Sequence, residues 1–105
     1  MSLKETDVQA AICDYLALRN RFFWRSNYFP RFDRSKAIFY KLPKYTPRGI
    51  PDIICIAGGT PYFLEVKKPG GKLSADQEEF CVRARTAGAR YEVVHSIEEV
   101  RALGL

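Results

Sequence analysis

The sequence predicts one α/β domain in which a mixed β-sheet is flanked by helices. Three observations predict it: an early segment with helical apolar spacing, a pair of apolar runs joined by a glycine turn, and a helix–strand–helix pattern after that pair. The 105 residues suffice for one small domain, and we expect residues 1–105 to form it. The expected order of elements is α-β-β-β-β-α-β-α.

The first predicted helix covers about residues 3–18. Val8 and Ile12 recur at helical spacing within it. Ser2 is a candidate N-cap, and Glu5 follows three residues later, which is the pattern of a capping box. Glu5 also lies on the side of Val8 and Ile12, so its side chain can point inward.

The next segment predicts short extended elements. Residues 22–26 are expected to form a strand, residues 27–37 a loop, and residues 38–42 a second short strand. Prolines and a glycine between positions 43 and 49 predict irregular structure before the clearest signal of the chain.

That signal is a β-hairpin. Residues 53–57 form a continuous apolar run of strand length, residues 58–61 contain the turn, and residues 62–67 form the second strand. A loop of even length makes the position numbers of cross-strand partners sum to an odd number.

The hairpin places three polar side chains on one face. Side chains alternate faces along a strand, so Glu65 and Lys67 share a face. An odd-sum register pairs position 52 with 65 or with 67, and either pairing puts Asp52 on that face too. A loop of three residues would break this relation.

The chain after the hairpin predicts a helix, a strand and a final helix. Ser74 is expected to cap a helix that runs to about residue 87, and Gly88 ends it. Residues 90–95 form the expected strand, and Ser96 caps a last helix that ends near Leu103.

The charge distribution predicts a partner that is a polyanion. The net charge is +5, and residues 19–48 contain nine basic residues but a single acid, Asp33. Aromatic residues are interleaved there, which suits nucleic acid, because cations neutralise phosphates and aromatic rings stack on bases. The alternative is that most aromatics are core and the charges form a solvated face. The predicted DNA contacts are Arg25, Lys44, Tyr45, Arg48, Lys68 and Lys72.

Several classes of protein are excluded. No apolar run is long enough to span a membrane, and the polar N-terminus does not resemble a secretory signal. Cys13, Cys55 and Cys81 are far apart and odd in number, which predicts reduced thiols in a cytoplasmic protein. The expected location is the cytoplasm of a bacterial or phage-infected cell. The lack of a C-x-x-C pair, with one histidine, argues against a zinc site.

The three polar side chains of the hairpin suit hydrolysis of a phosphodiester. Asp52 and Glu65 are oxygen ligands for a divalent cation such as Mg²⁺, and the backbone carbonyl of Val66 can supply another. Such a cation cancels charge and lowers the pKa of an attacking water, which Lys67 can position. An acid–x–Lys triplet alone is equally typical of a salt-bridged strand face.

The ordered motifs resemble a known nuclease family. Residues 49–52 read Gly-Ile-Pro-Asp, residues 65–67 Glu-Val-Lys, and residues 73–77 Leu-Ser-Ala-Asp-Gln. This set resembles the PD-(D/E)xK nuclease superfamily and, within it, the VRR-NUC domain. The resemblance implies a restriction-endonuclease-like core and DNA cleavage that depends on Mg²⁺ or Mn²⁺. It implies that Asp52 and Glu65 are metal ligands and that Lys67 is the catalytic lysine.

The resemblance also assigns roles to two further residues. Glu5 matches a first-helix glutamate of many relatives, with a possible role as a metal ligand, and Gln77 matches a glutamine that follows the E-x-K strand. Each stands three residues after a serine, so helix capping is the alternative for both.

The expected substrate is branched DNA, with a four-way (Holliday) junction favoured. A domain of this size has no appended module for recognising a branch, whereas a homodimer presents two sites to a two-fold-symmetric junction. A flap nuclease, a less selective nuclease and a DNA-binding module without catalysis are the alternatives.

Overall fold

The computed structural model describes residues 4–26, 31–33, 38–40 and 43–105. Three helices and six strands occur in these ranges. In chain order they are α1 Glu5–Leu18, β1 Phe22–Arg25, β2 Arg31–Asp33, β3 Ile38–Tyr40, β4 Ile53–Ala57, β5 Thr60–Val66, α2 Ala75–Thr86, β6 Arg90–Val94 and α3 Ile97–Ala102. No helix among the described residues is long and apolar enough to cross a lipid bilayer.

The main sheet has four strands in the order β1-β4-β5-β6. β1 pairs with β4 and β4 with β5 in antiparallel fashion, whereas β5 and β6 are parallel. Helix α2 makes the crossover that a parallel pair requires. The predicted α/β class with a mixed sheet is therefore confirmed.

The β4–β5 hairpin has a loop of two residues. Gly58 and Gly59 have φ angles of 59° and 79°, a combination that glycine adopts without strain. Ala57 pairs with Thr60 and Ile53 with Leu64, so the partner numbers sum to an odd value. Continued by one residue, this register places Asp52 opposite Glu65, which is the first of the two predicted pairings.

The apolar core lies between one face of the sheet and helices α1 and α3. Its buried members are Ile12, Leu16, Ile53, Cys55, Leu64, Val66, Val94, Val100 and Leu105. Burying a side chain of this kind stabilises the fold by about 1.5–3 kcal/mol. The cysteines of the chain are free thiols, as predicted.

Helix α2 packs on the opposite face of the sheet through aromatic contacts. The ring of Phe80 meets Phe63 of β5 edge to face at a centroid distance of 5.1 Å and lies 6.1 Å from the ring of Tyr91 on β6. Both contacts are to the β5–β6 half of the sheet, so this half carries a helix on each face.

Two local predictions differ from the structure. The predicted cap at Ser2 is wrong, because Lys4 is the N-cap of α1 and its side chain makes no capping hydrogen bond; Ser2 itself lies outside the described residues. The segment expected to be a loop contains β2, which pairs with β3 in a separate antiparallel ribbon. Strand pairing satisfies the backbone N–H and C=O groups of this segment, and the pattern of side chains in the sequence does not show which backbone groups will pair.

The two serine caps are confirmed. The Oγ of Ser74 accepts from the backbone N–H of Gln77, and the Oγ of Ser96 accepts from that of Glu99. Helix α2 ends at Thr86 with Ala87 as its C-cap, and Gly88 follows at a φ of 96°, close to the predicted end.

Gly49 brings the segment before Asp52 against the first turn of α2. It has a φ of 73°, and a Cβ placed on it would lie 2.3 Å from the carbonyl oxygen of Asp76 and 2.8 Å from the nitrogen of Gln77. These atoms are backbone and cannot move aside, so only glycine permits this approach.

Replacing Gly49 with alanine is therefore expected to destabilise the fold. The positive φ costs about 1 kcal/mol and the overpacking about 1–3 kcal/mol more. Urea unfolding measures the loss in the free energy of unfolding. Gly58→Ala is the matched control, because Gly58 also has a positive φ but has open space around it, so only the first cost applies. Equal losses in the two variants would contradict the role given to the close approach.

Candidate functional site

A cavity of about 440 Å³ opens at the end of the sheet where β5 meets α2. Residues of α1, β1, β5, α2 and the segment before β4 line it. They are Glu5, Thr6, Gln9, Arg25, Asp52, Glu65, Val66, Lys67 and Gln77. The five predicted catalytic residues are thus gathered in one place, together with Arg25 of the predicted DNA contacts.

Asp52 is held by both neighbouring strands. Its Oδ2 accepts a hydrogen bond of 2.8 Å from the backbone N–H of Val66 on β5. On the other side, the N–H of Ser26 donates to the carbonyl of Asp52 at 2.9 Å. The Oγ of Ser26 donates to the carbonyl of Pro51, also at 2.9 Å. The carboxylate is therefore fixed in position by residues on β1 and β5.

Ser26 is a positioning residue that the sequence did not reveal. It is 2 % exposed and lies just after β1, where the β1–β4 register places it opposite Asp52. Its type and position in the sequence resemble those of any strand-end serine, so no signal in the sequence distinguishes it.

Glu65 is a buried acid, with an exposed fraction of 3 %. Its Oε1 accepts a hydrogen bond of 2.8 Å from the Nε2 of Gln77. Its Oε2 has no hydrogen-bond partner among the described residues. Burial, with the nearby Asp52 carboxylate, raises the pKa of Glu65 to about 8, and Lys67 opposes this shift. One oxygen of this carboxyl group is therefore held by a hydrogen bond, and the other has none among the described residues.

Gln77 serves two purposes at once. Its Oε1 accepts from the N–H of Ser74 at 2.9 Å, which completes the capping box of α2. Its Nε2 simultaneously donates to Glu65. The helix-capping alternative for Gln77 is therefore confirmed, and the same side chain also contacts Glu65.

Lys67 follows directly after β5 and is held through its backbone. Its N–H donates to the carbonyl of Val94 at 3.1 Å. The ammonium nitrogen lies 3.9 Å from Oε1 of Glu65, and the side chain is 16 % exposed. The lysine therefore brings a positive charge to the edge of the carboxylate pair without neutralising it through a close hydrogen bond.

Helix α1 contributes Glu5, Thr6 and Gln9 to the cavity. Gln9 is 5 % exposed, and its Oε1 accepts a hydrogen bond from the Nη2 of Arg25 on β1. The Glu5 carboxylate is close enough to raise the pKa of Glu65 further. The helix begins at Glu5, so Glu5 is its first residue and not the third, which a capping box requires; Ser2 lies outside the described residues.

Gln9 is a second site residue that the sequence analysis missed, and here a signal existed. The buried positions of α1 are Gln9, Ile12 and Leu16, which follow one another at three- and four-residue spacing. Glu5 continues the same stripe by four residues. Polar side chains in an apolar stripe mark a place where the helix faces a polar site.

The other predicted DNA contacts do not line this cavity. Lys44, Tyr45, Arg48, Lys68 and Lys72 are all exposed, and Tyr45 is 90 % exposed with the ammonium of Lys44 5.0 Å from its ring centroid. Arg48 lines a second cavity beside α2. The side chains of the basic residues between positions 31 and 41 lie outside the described part of the chain.

The donor set suits a hard divalent cation. Among the described residues, no three His, Cys, Asp or Glu side chains gather closely enough to hold a metal by themselves. Mg²⁺ is usually held by one or two carboxylates with water and substrate phosphate as the other ligands. Burial and the repulsion of the nearby Asp52 carboxylate both raise the pKa of Glu65, and both effects are of a kind that a bound cation would oppose.

The family model for the VRR-NUC domain matches residues 3–98. The chain belongs to the VRR-NUC family. It is accordingly a nuclease-type domain. A solved structure of a VRR_NUC domain is similar to it, with a TM-score of 0.67 and 24% sequence identity, covering 97% of this chain and 95% of that one. That likeness supports the fold. No curated protein matches the chain.

In this VRR-NUC domain the pH dependence of stability is expected to follow Glu65. Because its pKa is raised to about 8, the folded state keeps a proton that the unfolded state releases near pH 4.5, the ordinary pKa of a glutamate. Metal-free protein should therefore lose about 2–4 kcal/mol of its free energy of unfolding as pH rises from about 4.5 through about 8. Chemical denaturation across this range measures the loss. Glu65→Gln should flatten the curve, and an unchanged curve would contradict the assignment.

The double role of Gln77 predicts a difference between two variants. Gln77→Leu removes the acceptor for the Ser74 N–H, which is one half of the capping box, and the donor to a buried carboxylate, so it should lower the free energy of unfolding by about 2–3 kcal/mol. Ser74→Ala removes the other half of the capping box, the Ser74 Oγ, but leaves the contact with Glu65, so it should cost about 1 kcal/mol. Urea unfolding at one pH compares them. Equal losses would mean that Gln77 acts only as a cap.

Proposed function

We propose that this VRR-NUC domain is a divalent-metal-dependent DNA endonuclease that resolves four-way (Holliday) junctions as a homodimer. The observation that carries the proposal is the fixed pair Asp52 and Glu65, side by side at the end of a sheet, with Lys67 at its edge. Carboxylates alone repel a negatively charged phosphodiester. The pair becomes useful for hydrolysis when it holds a cation between the carboxylates and the substrate.

Mg²⁺ or Mn²⁺ is the proposed cofactor. Asp52 and Glu65 are the proposed ligands, the backbone carbonyl of Val66 is a third oxygen donor, and Glu5 is a further candidate from α1. When bound, the cation supplies charge neutralisation and a water of lowered pKa. The hydrogen bond from Gln77 orients Glu65 through Oε1, which leaves Oε2 for the metal.

The side chains around the carboxylates have complementary roles. Lys67 lies where it can hold the attacking water or stabilise charge on the phosphate. The guanidinium of Arg25, held by Gln9, lines the same cavity and is a donor to a phosphate oxygen. Gln77 and Ser26 position the two carboxylates and do not contact substrate.

The exposed cations support DNA as the substrate. Lys68 and Lys72 follow the strand that carries Glu65, and Lys44 and Arg48 precede Asp52. Exposed cations that precede and follow the two acids in the chain suit an electrostatic contact with a nucleic-acid backbone, because each neutralised phosphate adds to affinity. Tyr45 is exposed beside Lys44 and can stack on an unpaired base.

The proposed preference for branched DNA follows from symmetry. A four-way junction has two equivalent strands to cut, and a two-fold dimer brings one site to each. A flap nuclease or a less selective nuclease would cut without such pairing. The products therefore decide between these specificities: paired symmetric nicks for a resolvase, and single cuts at a flap or in duplex for the others.

Variants of the site are expected to separate catalysis from binding. Asp52→Asn, Glu65→Gln and Lys67→Met should each reduce the single-turnover rate of junction cleavage by about 10²-fold or more, because each removes charge at the reacting phosphate. Lys68→Met is the matched control for Lys67→Met, because the side chain of Lys68 is exposed and only one residue away. This control should weaken the binding of DNA only slightly. Labelled four-way junctions, flaps and duplex with Mg²⁺ or Mn²⁺ provide the measurement.

Three outcomes would overturn parts of the proposal. An Asp52→Asn protein as active as the wild type would refute the metal site. Equal cutting of duplex and junction would refute the preference for branched DNA. A wild type that binds junctions tightly but cuts nothing with either metal would be a DNA-binding module of nuclease fold.

A further inference from the structure

Two buried side-chain atoms have no hydrogen-bond partner among the described residues. One is Oε2 of Glu65, and the other is the hydroxyl oxygen of Tyr91 on β6. Tyr91 is 1 % exposed, so its hydroxyl is as well hidden from solvent as the carboxyl group of Glu65. Buried polar atoms in folded proteins are nearly always paired, with protein or with an ordered water, because burial removes their hydrogen bonds to solvent. Both atoms therefore need partners.

The two side chains lie on the same face of neighbouring strands. The parallel register pairs Phe63 with Tyr91 and Glu65 with Val93. Phe63 and Glu65 share a face of β5, because side chains alternate along a strand. The rings of Phe63 and Tyr91 both lie against Phe80 of α2, so Tyr91 is on this face too. Tyr91 is therefore the diagonal neighbour of Glu65, a position that an aromatic side chain can reach across.

Electrostatics places the hydroxyl of Tyr91 near the carboxylate pair. Burial raises the pKa of Tyr91, and the charge of Glu65 raises it further, with smaller effects in the same direction from Cys81 and Asp52. Interactions between charges decline with distance, so the phenol oxygen lies on the side of the site. The Nη2 of Arg85 donates to the backbone carbonyl of Tyr91, at 3.0 Å, and not to its hydroxyl.

The two unpaired atoms have complementary chemistry. A phenol hydroxyl can donate, whereas an ionised carboxylate can only accept. They do not bond to each other directly. One water that makes two hydrogen bonds of about 2.8 Å spans up to about 5.5 Å between its partners. Buried waters of this kind occupy places in protein interiors where otherwise unpaired polar atoms converge.

We propose that one ordered water links the hydroxyl of Tyr91 to Oε2 of Glu65, which makes Tyr91 a positioning residue for this metal ligand. The inference rests on the proposed function, in which Glu65 binds Mg²⁺ or Mn²⁺. Gln77 holds Oε1 from α2, and Tyr91 holds Oε2 from β6, so both ends of the carboxylate are oriented. A carboxylate oxygen has two lone pairs, so Oε2 can accept from the water and still bind a cation.

Tyr91 acts from behind the site. It is not one of the described residues that line the cavity, so it touches neither the cation nor the substrate. Groups that orient a metal ligand from outside the coordination shell typically change metal affinity or activity by about 10–100-fold when they are removed. Loss of the hydroxyl should therefore weaken metal binding, and it should leave the rate of cleavage at saturating metal nearly unchanged.

The test compares the full chain with Tyr91→Phe and Tyr62→Phe. Tyr91→Phe removes one hydroxyl and keeps the ring. Tyr62 lies on β5, on the opposite face from Glu65 and against the core, so Tyr62→Phe is the matched control. Titration calorimetry with Mn²⁺ and no DNA should give an affinity about 10-fold weaker for Tyr91→Phe and unchanged for Tyr62→Phe. Urea unfolding establishes that both variants are folded.

Single-turnover cleavage of a four-way junction provides a second measurement. The Mn²⁺ concentration that gives half the maximal rate should rise about 10-fold in Tyr91→Phe, while the maximal rate stays within about threefold of the wild type. A purely structural role of the hydroxyl would change neither quantity in a folded variant. A high-resolution crystal structure of the wild type should show a water bonded to both the Tyr91 hydroxyl and Oε2 of Glu65.

The outcomes separate this inference from the proposed function. Equal Mn²⁺ affinities for Tyr91→Phe and the wild type would overturn the inference and leave the proposed metal site intact. A crystal structure with no water between the two atoms would do the same. A wild type that binds no Mn²⁺ would refute the metal site and the inference with it. The expected loss of Mn²⁺ affinity in Tyr91→Phe, in a protein that cuts no DNA, would support the inference and refute the proposed nuclease activity.

Discussion

The register of the β4–β5 hairpin is the constraint on which the site depends. The two-glycine loop at Gly58 and Gly59 pairs Ile53 with Leu64 and so brings Asp52 opposite Glu65. A slip of one residue would turn one strand's side chains to the other face, separating the two acids and moving core residues into solvent. Register, core and site are therefore specified together, and the burial of Ile53 and Leu64 on one face secures the carboxylates on the other.

The site concentrates negative charge that the fold has to stabilise. Glu65 is buried beside Asp52, and desolvation with repulsion favours its protonated form at neutral pH. Hydrogen bonds from Val66 to Asp52 and from Gln77 to Glu65 fix the geometry, and Lys67 offsets part of the charge. These contacts hold the carboxylates in place while leaving their repulsion only partly relieved, and the proposed cation would relieve the rest.

The two faces of the sheet serve different purposes. One face is sealed by α1 and α3 over the apolar core, which supplies most of the burial. The other carries the site and the helix that supports it. Gly49 allows the segment before Asp52 to touch the first turn of α2, so the acid, the helix and Gln77 form one connected unit. Changes in this segment therefore affect stability and the site together.

The sequence by itself determined the fold class and the hairpin and, for a loop of even length, the odd-sum register that groups Asp52, Glu65 and Lys67 on one face, because strand periodicity and turn-forming residues are local properties. It also contained a polar interruption of the α1 stripe at Gln9. Tertiary structure alone decided the tie from Ser26 to Pro51 and Asp52, the contact of Gly49 with α2, and the second hydrogen bond of Gln77. Each joins positions at least 12 residues apart in the chain, and such contacts depend on how strands and helices pack rather than on any nearby residue pattern.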